Sequence, residues 1–438
     1  MKLESSRTER ASYGAFFLGQ NILFMLVFQF LNLYYTDVLG IGAAAVGILL
    51  LVARTWDAVN DPILGSIVDR CDFKGGKFLP WIKGVNFILP LSTIALFFNP
   101  NWGPDGNLLY AYASYILWGM IYTLCDVPIF ALSSVMTKNS HERVIILTWG
   151  RLAALIAGIT VAAATMPLIS LYGWTETVTV LCIIAMLIMI PIRYFAVERI
   201  KSTKKSHSDV SLKASWNYLK NHQPMKIFYI AILISTGTNT AAIATNYFAI
   251  YNLGNGETTW VAPLMVAAML PVFILAALTP LLIKHFGKKN LYIWGTLIGS
   301  GFSLLQYFIG YESIVVVIIL QILKSAPVFL PLLLLGMFST DFVEYGNYHN
   351  KKRLEGTVFS LQTFATKLTQ ALAAGICGIL LGWIGYVANT EQTPEVLHGI
   401  FVLYSLVPVF GGVLSAWIMY KFYHLKESRV QEMINTTQ

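Results

Sequence analysis

The run RTWDAVNDPILGSIVDR, Arg54 to Arg70, sets ionisable chemistry inside an otherwise apolar stretch. Asp57 and Asp61 stand at i and i+4, so a helix projects both from one face. Two carboxylates about 6 Å apart repel by about 3 kcal/mol at an effective dielectric near 20. A bound Na⁺, or a transferable proton, relieves that repulsion. Asn60 and Thr123 offer the neutral oxygens that a small hard cation prefers, which leans the set towards Na⁺. The group has the character of a cation seat. The alternative is that Arg54 and Arg151 neutralise the aspartates in an ion-pair network that locks the helices.

A second group surrounds Asp126, in YTLCDVPIFALSS. Pro128 lacks a backbone donor, so a helix is expected to kink beside the acid and free a carbonyl. Tyr122 lies one turn before Asp126 and Phe130 one turn after. Aromatic, acid, aromatic on one face suits a sugar, with rings against C–H surfaces and polar groups on hydroxyls. Aromatic core packing is the competing account of Phe130. Lys324 and Lys367 place cations in two further apolar stretches, with Thr363 one turn before Lys367. Either lysine can instead snorkel towards an interface. Asp341 and Glu344 read as gate or helix-end salt bridges with Lys351, Lys352 or Arg353. There is no P-loop, HExxH or GxSxG motif, and Gly75-Gly76 reads as a turn. Cys71, Cys125, Cys182 and Cys377 have no metal-binding spacing and read as packing residues.

These residues need elements to hold them, and composition says which kind. Of 438 residues, 56% are hydrophobic and 12% charged, about half the charge of a soluble chain. Runs of about 20 apolar residues span a bilayer. Twelve such helices are expected, near 15–35, 43–67, 79–98, 109–131, 148–172, 177–195, 227–253, 259–285, 291–309, 314–338, 356–387 and 399–420. Arg54, Asp57, Asp61, Asp126, Arg151, Lys324 and Lys367 lie well inside them. Unpaired at mid-bilayer, each would cost about 2.5–3.5 kcal/mol, roughly 20 kcal/mol together. They must therefore face one another or water, in a polar space expected between two halves of the chain.

The net charge of +8 is a matter of topology rather than of nucleic-acid binding. Lys and Arg crowd alternate connections, among them Arg70 to Lys77, Lys138 to Arg143, Arg199 to Lys220, Lys284 to Lys289 and Lys351 to Arg353. The connections between them carry none. By the positive-inside rule both termini and the middle loop are cytoplasmic. Residues 1–12 lack a cleavable signal pattern, so the first helix is expected to remain as an anchor.

The domain organisation expected is a six-helix half over 1–195, a cytoplasmic linker over 196–226, a second half over 227–421 and a tail over 422–438. A short amphipathic helix fits near 209–221. GSIVDRCDFKGGKFLPWIKG after the second helix is echoed by PLLIKHFGKKNLYIWG after the eighth. Parallel repeats of six helices are the plan of the major facilitator fold.

YYTDVLG, RTWDAVNDPILGSIVDR, GGKFLPWI, YILWGMIYTLCDVPIFAL, WGR and DFVEYGNY resemble the signatures of the glycoside–pentoside–hexuronide:cation symporters. The resemblance covers nearly the whole chain. It implies an all-α membrane protein of twelve transmembrane helices in a bacterial cytoplasmic (inner) membrane. Alternating access would take up a sugar with Na⁺ or H⁺, without another cofactor, nucleic acid or obligate protein partner. It also implies Asp57 and Asp61 as cation carboxylates with Asn60 and Thr123 beside them, and Asp126 at the junction of cation and sugar sites. Tyr122, Arg151, Thr363 and Lys367 would line the sugar pocket. Two positions depart from the family's best-known pattern. Asn21, preceded by Gln20, replaces a Lys-Asp pair, and Phe130 replaces a Trp. Arg54, Arg151, Lys324 and Lys367 then outnumber Asp57, Asp61 and Asp126, which leans towards an anionic sugar such as a hexuronide. The rival class is a cation-independent facilitator or exporter on the same fold, for which Asp57 and Asp61 would be dispensable.

Overall fold

Ser6 opens the first helix with a capping box. Its hydroxyl accepts from Glu9 N, while the Glu9 carboxylate takes Ser6 N. From there the computed structural model, which describes residues 4–71, 73, 75–137, 140–200, 220, 222–350 and 355–437, is built of helices, with no strand among the described residues. They are α1 Arg7–Leu33, continued by a π-helical turn over Tyr34–Val38, then α2 Ala43–Arg70, α3 Leu79–Leu96, α4 Gly103–Met136, α5 Ser140–Tyr172, α6 Trp174–Met189 and the short α7 Ile192–Phe195. After the linker come α8 Gln223–Ile234, α9 Gly237–Tyr247 with a π-helical turn over Phe248–Leu253, α10 Val261–Phe286, α11 Lys288–Ile309, α12 Ile314–Asn350, α13 Glu355–Trp383, α14 Pro394–Ser405, α15 Val407–Phe422 and α16 Glu427–Thr437.

Ten spans among the described residues are long and apolar enough to cross a membrane. The stretches expected at 43–67 and 291–309 are helical too, as α2 and α11. Large apolar side chains stand exposed, including Leu171, Phe308, Trp383 and Phe410. In water such faces would be a liability, but in hydrocarbon they are the solvated side. The helix expected over 399–420 is broken at Leu406, because Pro408 has no N–H to offer the Tyr404 carbonyl. The stretch 227–253 breaks likewise between α8 and α9. The expected linker helix near 209–221 lies outside the described residues.

The chain forms two compact units. One comprises Met1–Lys204 with Gly256–Val266 and Val387–Thr390, and the other Lys205–Asn255, Ala267–Tyr386 and Glu391–Gln438. In the first, Glu142 at the start of α5 is buried and gathers donors from the chain's beginning. Ser5 N lies at 2.7 Å, Glu4 N at 2.9 Å and the Thr137 hydroxyl at 2.9 Å, with the Ser5 hydroxyl also bound. Burial pushes this carboxyl up, but the hydrogen bonds outweigh it and hold the group at about 2. In the second unit, Phe228, Tyr292, Phe338, Phe342 and Tyr423 form an aromatic core, which Val430 and Met433 of α16 complete. The tail is thus partly a packed helix.

The sequence echo has a structural counterpart in each unit. Glu198, beyond α7, accepts from the backbone N–H groups of Lys77, Phe78 and Leu79 at 2.7–2.8 Å, so its carboxylate caps α3. Glu427, beyond α15, takes Lys288 N at the start of α11. Each cap abuts a glycine in the left-handed region, Gly76 (φ +115°) and Gly287 (φ +74°). At Gly76 a β-carbon would lie only 2.8 Å from the Glu198 carboxylate.

Candidate functional site

α2 and α4 bring two of the predicted cation residues, Asp57 and Thr123, to one turn of α4. The Asp57 side chain, 4% exposed, is pressed against α4. A β-carbon added at Gly119 would stand 2.6 Å from Asp57 Oδ1, so only glycine admits the carboxylate there. Thr123, one turn on and also buried, donates its hydroxyl to the Gly119 carbonyl at 3.1 Å. Asp57 and Thr123 therefore converge on one turn of α4. Asn60 is buried on the same side chain layer of α2, and its amide nitrogen has no hydrogen-bond partner. The side chains of Arg54 and Asp61, and Arg353 with Lys351 and Lys352, lie outside the described residues.

The second group forms a ladder between α1 and α4. Phe17 meets Phe130 edge-on at 5.2 Å, Gln20 Nε2 donates to Asp126 Oδ1 at 2.9 Å, and Phe24 lies 5.3 Å from Tyr122. The i, i+4 face expected on α4 is thus real, and α1 supplies a matching face. Gln20 is fully buried, and its carbonyl oxygen has no partner. Gln20, Phe17 and Phe24 were missed as site residues. Their aromatic, amide, aromatic spacing on the first helix was the signal. Phe130 is half exposed, whereas Asn21 spends its amide on the Phe17 carbonyl of its own helix at 2.9 Å. Arg151 is exposed on α5.

Thr363 (exposed) and Lys367 (half-buried) lie on α13 in the second unit. Lys324, another predicted sugar residue, lies on α12 of the same unit. Its amine is buried without a hydrogen-bond partner and lies 3.3 Å above the ring of Tyr404. Tyr404 in turn stacks on Phe248 at 4.1 Å and donates to Gln321 Oε1. Lys324 and Tyr404 both lie in the second unit, so this contact is made inside one unit. Asp341 also has another partner than expected. Lys288 binds both its oxygens at 2.6 and 2.7 Å, because α12 runs on past 338 and packs beside the start of α11. Glu344, one turn further along α12, is half-buried.

No group of three or more His, Cys, Asp or Glu side chains among the described residues is arranged to hold a metal ion. What α2 and α4 offer is oxygen, the ligand of alkali cations, beside an aromatic and carboxylate face. Residues 12–427 match the family model described as MFS/sugar transport protein. The chain belongs to that family. It is 30% identical over 432 residues to the glucuronide carrier protein homolog of Escherichia coli K12, covering 95% of this chain and 92% of that one. It is equally 30% identical over 424 residues to the isoprimeverose transporter of Lactiplantibacillus pentosus, covering 93% and 87%. A crystal structure of a D-xylose-proton symporter superposes with a TM-score of 0.67 at 16% identity, covering 95% and 97%, which shows the shared fold. This member of the family is a multi-pass bacterial inner-membrane transporter of the glycoside–pentoside–hexuronide:cation type, and not an enzyme.

Proposed function

We propose that the chain is a secondary active symporter that takes up a sugar or sugar derivative with Na⁺ or H⁺ by alternating access. The observation that carries this reading is the buried Asp57 carboxylate of α2, packed against Gly119 of α4 one turn from Thr123. Carboxylates inside membrane-spanning helices are rare, and they mark ion and substrate pathways. Asp57 and Asp61, with oxygens of Asn60 and Thr123, hold the coupling ion, and Na⁺ suits that set better than a bare proton. Asp126 joins this seat to a sugar face of Tyr122, Phe130, Asn21 and Arg151 in the first unit, and Thr363 and Lys367 are the sugar-binding residues of the second. Cation and sugar then each tighten the other by the same factor. Twelve spans in two six-helix halves, 1–195 and 227–421, with cytoplasmic termini, supply the rocking frame. Asp341, Glu344 and Arg353 belong to its cytoplasmic gate.

We leave Lys324 out of the sugar set, a choice supported by its amine lying over the Tyr404 ring. The charge excess that leaned towards an anionic sugar shrinks accordingly. A hexuronide remains the first substrate to try, since a relative named as a glucuronide carrier homolog is 30% identical. The test is accumulation in proteoliposomes of methyl β-D-glucuronide, methyl β-D-xyloside and methyl β-D-galactoside, under an imposed Na⁺ gradient, a proton gradient, or neither. Gradient-driven accumulation of one of them is expected, and it names the ion. Equilibration without accumulation under either gradient overturns symport in favour of a facilitator.

A further inference from the structure

Tyr122, an aromatic residue of the proposed sugar face, stands one residue before Thr123. Its ring is held on two sides, by Phe24 of α1 at 5.3 Å and by Trp118 of α4, which stacks on it at 5.1 Å with an interplanar angle of 22°. Trp118 is itself anchored. Its indole Nε1 donates to Thr93 Oγ1 of α3 at 2.9 Å, and Thr93 donates its own proton to the Leu89 carbonyl at 2.9 Å. The threonine hydroxyl is therefore committed in direction, with a lone pair left facing the indole. Thr93 is fully buried and Trp118 is 1% exposed. Neither is placed to touch a sugar.

We propose that Thr93 and Trp118 are positioning residues for the sugar site, fixing the ring of Tyr122 through a hydrogen bond from α4 to α3. The inference rests on the reading of Tyr122 as a sugar contact. The chain of contacts runs Leu89 carbonyl, Thr93 hydroxyl, Trp118 indole, Tyr122 ring, and each link is directional. Loss of the Thr93 acceptor leaves a buried indole N–H unpaired, which the indole can relieve only by turning away and taking its stack with it. Removing both polar partners instead, with a ring kept at 118, leaves nothing to relieve.

The test is a double-mutant cycle of Thr93→Val and Trp118→Phe, read with whichever of methyl β-D-glucuronide, methyl β-D-xyloside and methyl β-D-galactoside the wild type accumulates. Thr93→Val is expected to raise the sugar KM about tenfold. It should leave kcat and the cation concentration for half-maximal uptake unchanged, because the carboxylates are untouched. The double variant is expected to recover most of that loss, as coupled partners do. Thr93→Ala leaves the same unpaired indole and takes the place of Thr93→Val if that variant does not fold. A sugar KM unchanged on loss of the Thr93 hydroxyl, or no recovery in the double variant, overturns the proposal. Tyr122→Leu, which removes the ring, separates the two readings. If it leaves the KM unchanged, Tyr122 is no sugar contact and both fall. If it raises the KM while Thr93→Val does not, only the positioning role falls.

Discussion

Gly119→Ala is the sharpest perturbation of the cation seat. The added methyl would sit 2.6 Å from Asp57 Oδ1, against ordinary contact near 3.4 Å. The carboxylate must therefore retreat by about 0.8 Å. A hard cation lies about 2.4 Å from a ligating oxygen. Moving one charge from 2.4 to about 3.2 Å at an effective dielectric of 20 costs about 1.7 kcal/mol, roughly a 20-fold loss of cation affinity. The helix itself gains, since alanine is favoured over glycine by about 1 kcal/mol inside a helix. Fold damage and site damage thus have opposite signs. The assay is sugar uptake against cation concentration in proteoliposomes, with a melting curve in detergent beside it. The expected result is a half-maximal cation concentration raised roughly 20-fold, with the melting temperature held or slightly increased. An unchanged cation dependence in a well-folded variant would refute the reasoning, because Asp57 would then not be a cation ligand.

Two further outcomes are expected. Glu142, held at about 2 against an ordinary 4.5, contributes stability that is present above about 4.5 and lost as the pH falls towards 2. The melting temperature of the wild type should therefore drop relative to Glu142→Gln across that window, and parallel pH profiles of the two proteins would contradict the assignment. Lys324→Met keeps the apolar stem and removes a buried amine without a hydrogen-bond partner. It should be neutral or stabilising, with the sugar KM unchanged, because a buried polar group without a hydrogen bond costs stability. A tenfold rise in KM would return Lys324 to the sugar site.

Local chemistry was legible without any structure. An apolar chain with charges buried in its runs has to be a membrane protein. The spacing of Tyr122, Asp126 and Phe130 fixes their common face, because helix periodicity is a property of neighbours a few bonds apart. The repeat of KGGKFLPW in FGKKNLYIW announced two related hairpins. The caps they receive from Glu198 and Glu427 lie more than a hundred residues away. Tertiary structure alone decided such matters. It put Gln20 on Asp126, Thr93 behind Trp118, Lys288 on Asp341 and Lys324 over Tyr404. Sequence gave each of these residues a charge or a donor, but a donor's partner is set by which helices pack and at what register. A buried lysine is equally costly wherever it lies, so its cost could be read from the sequence while its direction could not.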